Sequence, residues 1–384
     1  MRELRQVPTP LFQFVQRAAQ NAGFERVGVA PANHPEMREL QRFVPWIEAG
    51  YAGEMEYLKR RNDGGEYKRR SVDQALPWAK SVIVAAMNYN SSAPKSIDSE
   101  ALGDTDRGWI SRYAMSPHDY HQTVLGALRQ VESALLEHLR ETGSTEVTSR
   151  CYVDTGPVLE RVYAKYAGIG WIGKNTCVID EKLGSWMFLG VIVTSLDFAL
   201  FSGEGLAVAA DRCGSCTRCI EACPTEAIVA PGELNASRCI SYFTIEKRGA
   251  IPEEMRPKIG GHVFGCDICQ DVCPWNRKAP VSANPALQPD PELVHPQLSS
   301  LARMDAAEFR RRFRGSPISR SKHSGLLRNV AIAMGNSGNP ELIPELKRLS
   351  ESGDEAVAEH ARWAIGRLLS PPENHKDRSI ATNE

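Results

Sequence analysis

The sequence predicts an α/β domain, then a compact domain built around cysteines, then an α-helical repeat. Three observations predict it. Helix and strand signals alternate over residues 1–200, most cysteines crowd between 213 and 273, and the C-terminal segment repeats a short motif. A 384-residue chain that is 42% hydrophobic and 24% charged can bury two or three separate cores.

In the first part, "ERVGVAPA" (25–32) reads as a strand and "AKSVIVAAMNYN" (79–90) as a buried strand rich in apolar residues. "YHQTVLGALRQVESALLEHLRETG" (120–143) has helical periodicity and ends at a glycine. "VTSRCYVDTGP" (147–157) reads as a strand entering a turn, and "VLERVYAKYAGIG" as a helix closed by Gly168 or Gly170. "SWMFLGVIVTSL" (185–196) is another buried strand. The start, "MRELRQVPTPLFQFVQRAAQ", reads as an amphipathic helix.

The cysteine spacing carries chemistry. Cys213, Cys216, Cys219 and Cys223, followed by Pro224, make the C-x-x-C-x-x-C-x-x-x-C-P run of bacterial ferredoxins. Three thiolates on short loops converge on one cluster, and the fourth serves the other cluster. "GCDICQDVCPWN" supplies Cys266, Cys269, Cys273 and Pro274, one cysteine short of a full run, and Cys239 in "SRCISYF" stands in. The expected sets are Cys213, Cys216, Cys219 and Cys273 for one 4Fe–4S cluster, and Cys223, Cys239, Cys266 and Cys269 for the other. A pair of zinc sites is the alternative, since zinc also favours C-x-x-C pairs. Cys151 and Cys177 stand alone and read as small buried hydrophobes.

Residues 280–300 are rich in proline and asparagine and read as a linker. Beyond them, A-x-G recurs at 333–335 and 364–366, suggesting stacked helical hairpins of the HEAT type. The expected domains are therefore 1–200, 201–290 and 300–370, with a disordered polar tail at 371–384. Residues 309–340 contain Arg310, Arg311, Arg312, Arg314, Arg320, Lys322 and Arg328 but no acid. Such a stretch is either a phosphate-binding patch or a solvated helix face.

The net charge of −1 excludes a global field for nucleic acid, so binding must be local. No apolar run approaches the roughly 20 residues of a membrane span, and the N-terminus lacks an export signal. A cytoplasmic protein without membrane contact is expected, with thiols kept reduced for metal or redox chemistry. There is no G-x-G-x-x-G fingerprint and no C-x-x-C-H haem site. "AGIGWIGKN" (167–175) could pass close to a flat cofactor or phosphate. Asp154, in a D-T-G-P turn after a strand, is the candidate general acid if water is kept from it. The alternative is an Asx-turn, with the carboxylate bonded to its own backbone.

The VDTGP-x-x-E-R…AGIGWIGKN block, the interleaved ferredoxin run with "RCISYFTIEKRG", and the helical tail with "RNVAIAMGN" together resemble the epoxyqueuosine reductase family over residues 10–370. That resemblance implies an α/β cobalamin-binding domain, a ferredoxin-like domain with two 4Fe–4S clusters and a HEAT-like tail that holds tRNA. It implies reduction of epoxyqueuosine to queuosine at the wobble position of tRNA anticodons, which takes two electrons and two protons. Electrons would pass from an external donor, of ferredoxin or flavodoxin type, through the clusters to cobalamin. Asp154 aligns with the family's proton donor. Cobalamin contacts carried over by resemblance are Arg69, Ser111, Asp154, Val178, Leu189, Ser241 and Asp267. Lys247 matches a basic position near the RNA, and Arg320, Lys322 and Arg328 are the further expected tRNA contacts. A monomer suffices. The competing classes are a dehalogenase-like enzyme, which predicts an export signal and no basic tail, and a two-cluster electron carrier, which leaves residues 1–200 without a purpose.

Overall fold

The computed structural model describes residues 10–98, 103–143, 146–198 and 208–370. The expected disordered tail and the first nine residues of the expected N-terminal helix lie outside them. The chain forms two compact units, both discontinuous in sequence. Met1–Asn90, Tyr120–Cys216 and Trp275–Leu287 make the first, and Ser91–Asp119, Thr217–Pro274 and Gln288–Glu384 make the second. Among the described residues no helix is long and apolar enough to cross a membrane.

The first unit is organised by a four-stranded sheet in the order Arg26–Pro31, Ser81–Asn88, Met187–Thr194, Ser149–Tyr152. Every pairing in it is antiparallel. All eight residues of Ser81–Asn88 are buried, because helices cover both faces. Side chains alternate between the faces. Val82, Val84 and Ala86 share a core with Val162, Tyr163 and Tyr166 of the Glu160–Tyr166 helix. The long Tyr120–Glu141 helix packs against Met187–Thr194 and against the Pro10–Asn21 helix. A strand buried on both faces loses the polar alternation of a half-exposed one, so its sequence reads as a continuous apolar run. The antiparallel pairing also removes one expectation. Parallel α/β sheets gather their sites at a shared carboxyl edge, and this sheet has no such edge, so the position of Asp154 needs another reason.

In the second unit, the cysteine segments fold as short helices, Arg218–Glu221 and Ile268–Asp271, which pack on each other. A small hairpin pairs Ile228–Ala230 with Glu233–Leu234, and Trp109–Ile110 pairs in parallel with His262–Phe264. The tail is helical. Lys322–Asn336, Ile343–Ser350 and Glu355–Leu369 bury Leu326, Val330, Leu346, Val357 and Ala361 in one core with Phe264 and Leu298. Asp354 starts the last helix by accepting the backbone N–H groups of Ala356 and Val357 at 3.0 and 3.3 Å.

The repeated A-x-G motif has a packing reason. A Cβ on Gly335 would lie 2.8 Å from both Cα and Cβ of Ala364, so the first motif's glycine packs on the second motif's alanine. Two helices approach closely there because neither carries a side chain larger than a methyl group. Gly335→Val should therefore destabilise the protein by about 1–3 kcal/mol through overpacking, read as a lower urea midpoint, whereas Gly366→Ala, which meets open space, should not.

Candidate active site and cluster ligands

Asp154 sits just past the strand Ser149–Tyr152, exposed, at φ 54°. Aspartate tolerates this left-handed region better than most residues. Its Oδ2 accepts a hydrogen bond from the Tyr120 hydroxyl. The side chain thus bonds to another element, Tyr120, rather than closing the alternative Asx-turn on its own backbone. Tyr120 is fixed by stacking flat on Phe188, with ring centroids 4.1 Å apart and an interplanar angle of 2°. Phe188 precedes half-buried Leu189 in the strand Met187–Thr194. Arg69 clasps the turn from the other side, donating to the carbonyls of Val158 at 3.2 Å and Asp154 at 3.4 Å.

Behind Asp154 lies Glu160, the first residue of its helix. Burial, then the charge of Asp154, push its carboxyl group up to about 8, against the pull of Arg69 and Arg161. Its Oε1 is sealed from solvent and has no hydrogen-bond partner. Burial and the charge of Asp154 thus favour the protonated form of Glu160, against its own backbone N–H and the two arginines.

The "AGIGWIGKN" segment forms a hairpin, Trp171–Ile172 paired with Val178–Ile179. A Cβ on Gly170 would stand 2.2 Å from the carbonyl oxygen of Ile179, so this glycine serves the hairpin's own close approach. Lys174 at the turn donates to the carbonyls of Gly214 and Cys216 at 2.7 and 2.8 Å. It pins the loop that begins the ferredoxin run.

Cys213 and Cys216 belong to the first unit and the other six run cysteines to the second. Within the second unit, Cys223, Cys239 and Cys266 come together from distant segments. The thiols of Cys239 and Cys266 are both pushed up, first by burial. Cys223 raises Cys239, and Cys239 and Cys223 both raise Cys266. Sulfurs close enough to oppose one another's ionisation are what a bound cation would relieve, since a coordinated thiol is deprotonated outright. The Ala227 N–H donates to the Cys223 sulfur at 3.3 Å, and the backbone groups of Ser241 and Tyr242 favour the Cys239 thiolate. Such N–H bonds to sulfur tune cluster potentials. Cys219 and Cys269 ride on the two packed short helices, and Cys273 is buried. The residues present fit an iron–sulfur cluster. Among the described residues no three His, Cys, Asp or Glu side chains converge as a single-ion site. Cys151, outside these sets, is pushed up by burial and by Glu132, which makes it an inert thiol.

Nearby in the second unit, buried Ser111 donates to Asp267 Oδ1 at 2.5 Å and the Arg112 N–H to Oδ2 at 2.6 Å. The Arg112 side chain is spent on Ser91 and Ala93 at 2.6–3.0 Å. Burial raises Asp267, and burial plus Asp267 pushes Asp271 up to about 7. Of the expected cobalamin contacts, Ser111, Val178 and Asp267 are buried, while Arg69, Asp154, Leu189 and Ser241 reach the surface. Within the first unit, Arg69, Asp154 and Leu189 offer a cation, a carboxyl group and an apolar chain, groups that suit the amides, phosphate and apolar faces of a corrinoid.

The basic residues divide. Arg248 donates to the carbonyls of Arg320 at 2.9 Å and Ser321 at 3.4 Å, which joins the "EKRG" run to the 320–322 run. Arg320 pairs with Glu246 at 2.7 Å, and Arg312 pairs with Glu292 at 2.9 Å, so acids from outside the stretch partly neutralise it. Lys322 is exposed. Lys247 lines an open groove of about 410 Å³ with Arg238, Tyr242, Phe243 and Lys258. Arg328 corrects the sequence expectation. It is 2% exposed and donates to the carbonyls of Phe243, Lys247 and Gly249 at 2.7–3.0 Å. A guanidinium spent on three internal carbonyls cannot reach a phosphate; Arg328 shapes the Lys247 loop from within.

Residues 212–276 match the model of a 4Fe-4S double cluster binding domain, and residues 69–155 match the model described as Epoxyqueuosine reductase QueG, DUF1730. The chain is 38% identical over 362 residues to epoxyqueuosine reductase of Xanthomonas campestris pv. campestris, covering 93% of this chain and 96% of that protein. It is 37% identical over 364 residues to that of Pseudomonas aeruginosa, covering 94% and 95%. This chain belongs to the epoxyqueuosine reductase family. Among solved structures, it matches an epoxyqueuosine reductase bound to an epoxyqueuosine-modified tRNA-Tyr stem loop with a TM-score of 0.78 at 30% identity, covering 93% of this chain and 91% of that one. It matches the Bacillus subtilis epoxyqueuosine reductase with a TM-score of 0.79, also at 30% identity, covering 94% and 92%. The reductase is thus an iron–sulfur oxidoreductase by family.

Sequence reasoning missed Tyr120, Glu160, Lys174 and Arg112. Only Glu160 left a signal, as the acid of the VDTGP-x-x-E-R block. For the cysteines, Cys239→Ala should reduce iron in anaerobically purified protein from about eight to about four per chain, measured by metal analysis. Retention of the full content would remove Cys239 from the ligand set.

Proposed function

We propose that this chain reduces epoxyqueuosine to queuosine at the wobble position of tRNA, the last step of queuosine biosynthesis. The observation that carries the reading is Asp154. It is an exposed carboxyl group aimed by Tyr120, clasped by Arg69 and backed by Glu160. An acid so placed can protonate the oxygen that leaves an opening epoxide. General acids of this kind contribute typically about 10²–10⁴-fold.

Cobalamin, when bound, supplies the low-potential centre between the clusters and the substrate. Arg69, Asp154, Leu189 and Ser241 would hold it from their exposed sides, with Ser111, Val178 and Asp267 bracing the walls. The cluster sets are Cys213, Cys216, Cys219 and Cys273, and Cys223, Cys239, Cys266 and Cys269. Residues 1–200 carry the reaction, 201–290 the clusters, and the helical tail at 300–370, read as HEAT-like, takes the tRNA. Lys247, Arg320 and Lys322 contact phosphates, with Lys247, Arg238 and Lys258 lining one groove. An external donor of ferredoxin or flavodoxin type supplies single electrons to a cytoplasmic monomer.

Protein purified anaerobically from cobalamin-fed cells should carry about one cobalt beside about eight irons and convert epoxyqueuosine in tRNA to queuosine, read by mass spectrometry of nucleosides. Asp154→Asn should keep cobalamin and tRNA binding and lose at least about 100-fold in turnover. Normal turnover in that variant removes Asp154 from the chemistry. Iron without retainable cobalt would leave an electron carrier.

A further inference from the structure

Turning an epoxide into an alkene and water consumes two protons, and one carboxyl group carries only one. We propose that Glu160 is the positioning residue that recharges Asp154, holding the second proton behind the turn and passing it to the Asp154 carboxylate. The proposal rests on the reading of Asp154 as the acid.

The geometry supports it in three ways. Glu160 opens the helix that follows the Asp154 turn, and Arg69 bonds to carbonyls on both sides of that turn, at 154 and 158. Its Oε1 is sealed and lacks a partner. An ionised carboxylate in that place would bury an unsolvated charge, whereas a neutral acid would not. The charged groups that act on it are Asp154, Arg69 and Arg161. Arg161 is itself turned to the Thr176 carbonyl at 3.1 Å.

The balance is simple. Two electrons arrive singly from the external iron–sulfur or flavin donor. As the first epoxide C–O bond breaks, the oxygen takes the Asp154 proton and becomes a hydroxyl. The Asp154 carboxylate then takes the Glu160 proton. Asp154 gives that proton to the hydroxyl, which leaves as water as the second C–O bond breaks and the double bond forms. Exposed Asp154 takes up two protons from solvent and returns one of them to Glu160.

Glu160→Gln tests this through two readouts. The first uses the iron-loaded protein without substrate. An acid whose folded value is raised from 4.5 to about 8 stabilises the fold only while protonated. That contribution is complete below 4.5 and lost as pH rises to about 8. The wild type should therefore lose thermal stability relative to Glu160→Gln as pH rises from about 4.5 to about 8, and in Asp154→Asn, which lacks the charge that helps raise Glu160, the loss should be smaller and end at lower pH. The second is turnover. The wild-type rate should fall above pH of about 8, while Glu160→Gln should be at least about tenfold slower at pH 7, lack that limb, and bind tRNA normally. A stability difference that stays flat over this range shows Glu160 already ionised and overturns the proposal. So does a Glu160→Gln variant with the wild-type rate and profile. Failure of the underlying reading looks different: Asp154→Asn turns over normally while the Glu160 stability limb persists, and both roles are then removed.

Discussion

Cysteines brought from distant segments into one another's electrostatic field set the terms for the second unit. Burial raises Cys239 and Cys266, Cys223 adds to the shift of Cys239, and Cys239 and Cys223 add to that of Cys266. Without a cation the thiols stay protonated and contribute little beyond their packing. A cation bound here would take them as thiolates and cancel that charge where it forms. The surrounding structure is arranged for that state. The Ala227 N–H points at the Cys223 sulfur, backbone groups of Ser241 and Tyr242 serve Cys239, and the two ligand-bearing short helices pack on each other. Metal binding and folding are therefore coupled here, as they are wherever a preformed site is absent from the unfolded chain.

The helical tail is bonded into the same unit from inside. Arg328 and Asn329, neighbours on the Lys322–Asn336 helix, satisfy the carbonyls of Phe243, Thr244, Lys247, Gly249 and Val263. These carbonyls lie on the chain that leaves Cys239 and returns to Cys266. Buried carbonyls without donors would each cost about 1–3 kcal/mol, so the tail's polar residues hold the loop that presents Lys247. The same helix thus spends one arginine on structure and leaves Lys322 at its start in solvent.

The first unit uses burial differently. It keeps Asp154 exposed and seals Oε1 of Glu160, whose carboxyl group is raised by burial and by the charge of Asp154. Environments that push paired acids apart are a common means of dividing proton-transfer roles. Tyr120, stacked on Phe188, and Arg69, clasping the turn, hold the pair in place.

Much of this was legible in the chain itself. The ferredoxin spacing, the strands at 81–88 and 187–194 and the helix from Tyr120 all follow from local pattern, because thiol spacing and hydrophobic period are properties of neighbours in sequence. Asp154 was legible as a turn acid, and its family resemblance supplied a role. What the sequence could not rank were groups whose meaning depends on distant partners. Arg328 and Lys322 look alike in a basic run, yet one is locked on backbone carbonyls and the other is exposed. Glu160 looks like any first-turn acid until its oxygen is sealed beside Asp154. Residue type and spacing determined which chemistry this protein carries. Only the tertiary structure decided which charges are spent on the fold and which remain for the reaction, because solvation and proton affinity are set by what surrounds a group in space.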